Sequence, residues 1–140
     1  MNYCTEADLI EQYGQSALIT LTDRTHKPQT TIDSPVVARA IEGASDEINL
    51  YLEGRYGLPL PAVPRVLKRM ACKLAFASLH VHPKEGKDHP ALLAAASERQ
   101  VLMAIAKGTL SLGLSQGGAA IKASDTVQIS SGRNDWGARY

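Results

Sequence analysis

Apolar residues recur along this chain at intervals of three and four, the spacing that gathers them on one side of an α-helix. The plainest case follows Asp33-Ser34-Pro35, where Asp or Ser holds the free amides of a first turn and an early proline costs no helical hydrogen bond. From there Val37, Ile41, Ala44, Ile48, Tyr51, Leu52 and Tyr56 fall on one side. Arg39, Glu42, Asp46, Asn49 and Glu53 fall mostly on the other, so a long amphipathic helix is expected up to Gly57.

Two shorter segments precede it. Thr5-Glu6-Ala7-Asp8 puts a capping hydroxyl before an acidic first turn, and Leu9, Ile10 and Tyr13 give about two turns of apolar face before Gly14. A second short helix or turn from Ala17 to Thr22 carries Leu18, Ile19 and Leu21, and a polar loop from Asp23 to Ile32 follows.

After the long helix, Leu58-Pro59-Leu60-Pro61-Ala62-Val63-Pro64 cannot be helical inside, because three prolines remove donors and push their predecessors towards extended geometry. It predicts a stiff apolar corner. The next helix runs from Pro64 through Val66, Leu67, Met70, Ala71, Cys72, Leu74, Ala75, Phe76 and Leu79, apolar nearly all round in its second half, and belongs at the bundle's centre. Pro83 to Asp88 reads as a turn, and Asp88-His89-Pro90 as the cap of an alanine-rich helix to Lys107. Its packing side is expected to be Leu92, Ala95, Ala96, Leu102, Met103 and Ala106, with Gly108 as its stop.

Beyond Gly108 the composition shifts to Gly and Ser, while Thr126-Val127-Gln128-Ile129-Ser130 alternates like a short strand. The pattern therefore predicts an all-α bundle of four to five helices over residues 1–113, with an extended C-terminal arm over 114–140.

Composition narrows the function. The formal net charge of +1 removes long-range attraction to nucleic acid or an anionic membrane as the design principle, so any such contact must come from a local patch. No apolar run approaches the ~20 residues needed to span a bilayer, and the start lacks the basic and apolar regions of a signal peptide. No membrane partner is expected, and the expected place is the cytoplasm of whatever cell makes the chain. The two cysteines, Cys4 and Cys72, are too far apart in sequence to suggest a metal knuckle or a redox pair and read as free thiols.

The stretch from Ala44 to Pro64, with Tyr51-Leu52 and Arg55-Tyr56 running into Leu58-Pro59-Leu60 and Val63-Pro64, resembles the signature of a Mu-like phage and prophage neck protein family, catalogued as a domain of unknown function. Asp8-Leu9, Tyr13-Gly14, Leu21-Thr22-Asp23, Val36-Val37, Ala106-Lys107-Gly108 and Leu112-Gly113 agree in order, so the resemblance covers about Tyr3 to Gly113. That family is similar to the head-tail connector adaptors of tailed phages. The resemblance implies a structural virion protein in the neck that joins further copies of itself in a ring of about twelve beneath the portal protein. It also implies contact with the next neck or tail-completion protein, and packaged DNA passing through without sequence-specific binding. The loop Arg24-Thr25-His26-Lys27-Pro28-Gln29-Thr30-Thr31 departs from the acidic, glycine-containing loop of relatives, and a calcium reading of Asp23 to Asp33 fails for want of oxygen ligands.

Candidate sites carry competing readings. Arg55 either bonds an end carbonyl of the long helix beside a corner packed by Tyr51 and Tyr56, or reaches a neighbouring copy's carboxylate such as Glu42 or Asp46. Arg65, Lys68, Arg69 and Lys73 form a solvated face, a contact to DNA phosphates, or a contact to an acidic partner. Val127, Ile129, Arg133, Trp136 and Tyr140 make the arm either a disordered terminus or an element that docks on the portal or another copy. His80, His82 and His89 lack a fourth ligand for a metal site. Gly117-Gly118-Ala119-Ala120-Ile121-Lys122 lacks the frame of a phosphate loop.

No nucleophile and base stand in a recognisable arrangement, so neither catalysis nor a cofactor is expected. The alternative function is a small prophage-encoded DNA-binding or regulatory helical protein using the basic line from Arg65 to Lys73.

Overall fold

The computed structural model describes residues 1–80 and 88–114. Five helices follow in order: α1 (Glu6–Tyr13), α2 (Gln15–Thr22), α3 (Ser34–Leu52), α4 (Arg65–Leu79) and α5 (Pro90–Lys107). The described part is thus all-α, as the periodicity predicts. The caps follow from the sequence itself: the Thr5 hydroxyl accepts from the Asp8 amide at 3.3 Å while the Asp8 carboxylate accepts from the Thr5 amide at 2.8 Å. Asp33 caps α3 with Pro35 in its first turn, and Gly108 ends α5 at φ 87°, a left-handed geometry that costs glycine least.

Helix α4 is the centre. It packs against α3, α5 and α1, and Leu67, Met70, Ala71, Cys72, Leu74, Ala75, Ala77 and Leu79 are buried along it. Small alanines let neighbouring helices approach, while the leucines supply the apolar area, about 1.5–3 kcal/mol for each side chain fully removed from water. From α3, Val37, Ile41, Ala44, Ile48 and Leu52 meet this core, and Leu9 and Leu18 close it from α1 and α2.

Several expectations are corrected. Helix α3 stops at Leu52 instead of running to Gly57, and Tyr56 reaches the core from the following turn. The turn is held by the amides of Arg55 and Tyr56, which both donate to the Leu52 carbonyl at 2.9 Å. Val66, placed with the apolar run, is 51 % exposed in the first turn of α4, where Leu67 takes the buried place. In α5, Met103 and Ala96 face outward and Ile105 takes the buried place, since an alanine-rich helix offers several apolar sides of similar strength. Within the Asp88-His89-Pro90 cap it is His89 that caps α5, its Nδ1 accepting from the Ala91 amide at 3.2 Å. Most of the Pro83–Asp88 turn, the strand at Thr126 to Ser130 and the arm from residue 115 onward lie outside the described residues.

Candidate functional site

The proline corner positions the first candidate. Leu60 is buried beneath it, the Leu58-Pro59 peptide is cis, and the preceding turn aims Arg55 across to the end of α5. Its Nη1 donates to the carbonyl oxygens of Ile105 at 2.6 Å and Leu110 at 3.0 Å. The guanidinium carbon stands 5.4 Å from the centre of the Tyr56 ring, and the Tyr56 hydroxyl accepts from the Leu112 amide at 3.1 Å. Arg55 therefore bonds helix-end carbonyls, as one sequence reading has it, but those of α5 and the segment after it in place of its own helix. It fastens the corner to the C-terminal end of the bundle, where unsatisfied carbonyls attract a cation.

The basic line divides into two pairs. Lys68 Nζ lies 2.7 Å from the Asp8 carboxylate of α1, and Lys73 is bonded to Glu98 of α5. Burial pushes the Asp8 carboxyl up, but bonds from Lys68 and Thr5 outweigh it and hold it below the ordinary aspartate value. Arg65 and Arg69 are exposed and have no ion-pair partner among the described residues. Two of the four cations thus brace α4 against its neighbours, and the other two are exposed.

The loop between α2 and α3 is organised by a residue whose role the sequence reading missed. The Asp23 side chain is only 2 % exposed. One of its oxygens accepts from the amides of Thr25 at 3.2 Å and His26 at 3.1 Å, the other from the amides of Thr30 at 3.0 Å and Thr31 at 3.2 Å. The Thr30 amide, with those of Thr31 and His26, holds the carboxyl far below the usual carboxylate range against the opposing effect of burial. Thr22 pins the loop's base, donating to the Leu18 carbonyl and accepting from the Asp33 amide. Arg24 and Lys27 are exposed around this frame, while the His26 Nδ1 lies 3.0 Å from the Asp23 carboxylate. The polar run signalled a loop, but nothing local marks which carboxylate folds inward.

The cysteines, distant in sequence, meet in the core. Cys4 and Cys72 are both buried, and the hydrogen bond between their side chains, with burial, raises the Cys4 thiol pKa. At the far end of α4, Phe76 stacks on Tyr13 with ring centres 3.7 Å apart and meets His80 edge-on. Burial pushes the Tyr13 hydroxyl pKa up to about 12. His80 lies beside His89, their ring centres 4.5 Å apart, and its Nδ1 is 2.8 Å from the Phe76 carbonyl; His82 lies outside the described residues. Among the described residues no cluster of three metal-ligating side chains forms, and no helix is long and apolar enough to cross a membrane. The arm residues Val127, Ile129, Arg133, Trp136 and Tyr140 lie outside the described part.

Comparison with known proteins adds to this picture. The family model described as "Bacteriophage Mu, Gp36" matches residues 3–131. The chain is 34% identical over 107 residues to the Mu-like prophage FluMu protein gp36 of Haemophilus influenzae, covering 76% of this chain and 74% of that protein. It is 39% identical over 79 residues to Gene product J of Escherichia phage Mu, covering 54% of this chain and 53% of that one. With a bundle whose corner is built from the same Arg55-Tyr56 and proline motif that carried the resemblance, the chain belongs to the Bacteriophage Mu Gp36 family.

Proposed function

We propose that this protein is a structural component of a Mu-like virion: a head-tail connector adaptor that forms a ring under the portal, extends the DNA channel and offers a surface to the next neck or tail-completion protein. Membership of a Mu phage family supports the setting. The observation that carries the mechanical reading is the way the polar side chains are spent. Arg55, Lys68–Asp8, Lys73–Glu98 and Arg99–Glu47 all tie one element to another, and Asp23 fixes the loop between α2 and α3. Such cross-ties make a rigid block, which suits a subunit that transmits position and performs no chemistry. The reading assigns the protein no catalytic role.

The DNA-binding alternative loses support from the same facts, since Lys68 and Lys73 are already paired with carboxylates in the chain. Each phosphate contact withdrawn lowers the salt-dependent gain from counterion release. The arm at residues 114–140 is assigned to portal attachment because its Val127, Ile129, Arg133, Trp136 and Tyr140 are types that anchor interfaces.

The test is electron microscopy of the phage's purified portal mixed with the full chain and with a chain lacking residues 124–140. The full chain is expected to add a ring below the portal, and the shortened chain to fold yet leave portals bare. Bare portals with the full chain would overturn the adaptor reading, and decoration by the shortened chain would overturn the arm's role.

A further inference from the structure

Helix α3 carries an acidic stripe on its solvent side. At about 100° per residue, positions 42, 46, 50 and 53 share an arc of roughly 80°, and Glu42, Asp46, Leu50 and Glu53 are all exposed there, Leu50 by 71 %. None of the three carboxylates has an ion-pair partner among the described residues. Arg39 stands at the head of the stripe, its Nε bonded to the Pro35 carbonyl of its own helix. The stripe runs to the C-terminal end of α3, which has no basic residue in its last turn and Glu53 at its cap.

Helix α4 presents the opposite. Arg65, Val66 and Arg69 are exposed at its N-terminal end, where Pro64 supplies no side-chain cap and the first turn holds no acid. Glu11 of α1 lines the groove beside Arg69 without forming an ion pair to it.

Both placements run against the local physics of a single helix. A helix dipole makes the N-terminus positive and the C-terminus negative, so cations at the first and carboxylates at the second are each disfavoured. Each stripe would be relieved by the other, yet the two cannot meet within one chain, because α3 and α4 pack through their apolar sides. They do share one end of the bundle, since residues 53–64 join the end of α3 to the start of α4. A contact between unlike faces at one height is heterologous, and such contacts generate rings when the rotation closes.

We propose that the contact between copies is this pairing: Glu42, Asp46 and Glu53 around Leu50 of one copy against Arg65, Arg69 and Val66 of the next. The inference rests on the ring reading above and names its interface. Exposed Leu50 and Val66 supply the apolar centre, and the charges around them set orientation and exclude a face meeting its own kind.

The test uses two full-length variants, E42K/D46K/E53K and R65E/R69E, each checked for fold by circular dichroism. Both remain folded, and R65E/R69E melts at or above the temperature of the parent chain, because it removes the clash with its own dipole. Assembly on purified portals is then read by native mass spectrometry. Each variant alone assembles at least about tenfold more weakly than the parent, whereas an equal mixture recovers, since altered face meets altered face and native meets native in alternation. A variant that assembles alone like the parent, or a mixture no better than its components, overturns the interface while the ring reading stands. A parent chain that forms no ring on portals overturns both.

Discussion

The guanidinium of Arg55 and the carbonyl of Ile105 are fifty positions apart in sequence and 2.6 Å apart in space, joined by a hydrogen bond that closes α5 against the proline corner. A charged donor serving one carbonyl at the end of α5 and one in the segment after it contributes about 1.5–3 kcal/mol. Arg55→Ala is therefore expected to lower unfolding stability by that amount, read as a lower urea midpoint at unchanged slope. Arg55→Lys should recover only part, because a single ammonium does not reproduce the planar group that also lies over Tyr56.

Ser45 is buried in the apolar side of α3 and accepts from the Tyr3 amide at 3.1 Å, while the Tyr3 hydroxyl bonds Asn49. These two bonds hold the N-terminal segment on the bundle. Ser45→Ala leaves a buried amide without its acceptor and is expected to cost about 1–3 kcal/mol. Hydrogen exchange at Tyr3 and Cys4 should rise more than exchange in α5.

Asp23 makes the loop's stability depend on acid. Its folded pKa is depressed, so its contribution is fully present above the ordinary aspartate value of about 3.9 and is lost as pH falls towards the folded value. Asp23→Asn removes that contribution. The gap in melting temperature between parent and variant is expected to be widest near neutral pH and to shrink below about pH 4; a gap independent of pH would contradict the assignment.

Cys4 and Cys72 are 3 % and 2 % exposed, and the Cys4 thiol is held protonated by its neighbour and by burial. Thiol reagents attack the thiolate. In native buffer both cysteines are expected to react only as fast as the bundle opens, and both rapidly in denaturant. Fast native labelling of either would show that the N-terminal segment is not docked as described.

What the sequence revealed was local. Period and caps placed four of the helices and left the second as a helix or turn, because a capping Thr5 or Asp33, an early proline and a terminal Gly108 act within one turn, while α2 has no side-chain cap. What it hid was either long-range or a choice among similar residues. Arg55 bonds a helix that begins thirty-five residues later, Cys4 finds Cys72 only after α1 docks on α4, and Asp23 turns inward to satisfy loop amides that no periodicity describes. Val66 and Met103 are apolar in an apolar run, so their outward positions follow from how the helices rotate against each other. The basic line of α4 was legible as a line; its division into braced Lys68 and Lys73 and an Arg65 and Arg69 without ion-pair partners among the described residues required the neighbouring helices.

The claim that this is a scaffold built to dock with copies of itself on a portal is tested most directly by counting. Native mass spectrometry of the purified portal saturated with the full chain gives the stoichiometry of the complex. The account predicts a single assembled species with a fixed ring of chains on each portal. Portals that carry no chains, or a graded series of loosely bound monomers with no preferred number, would contradict it.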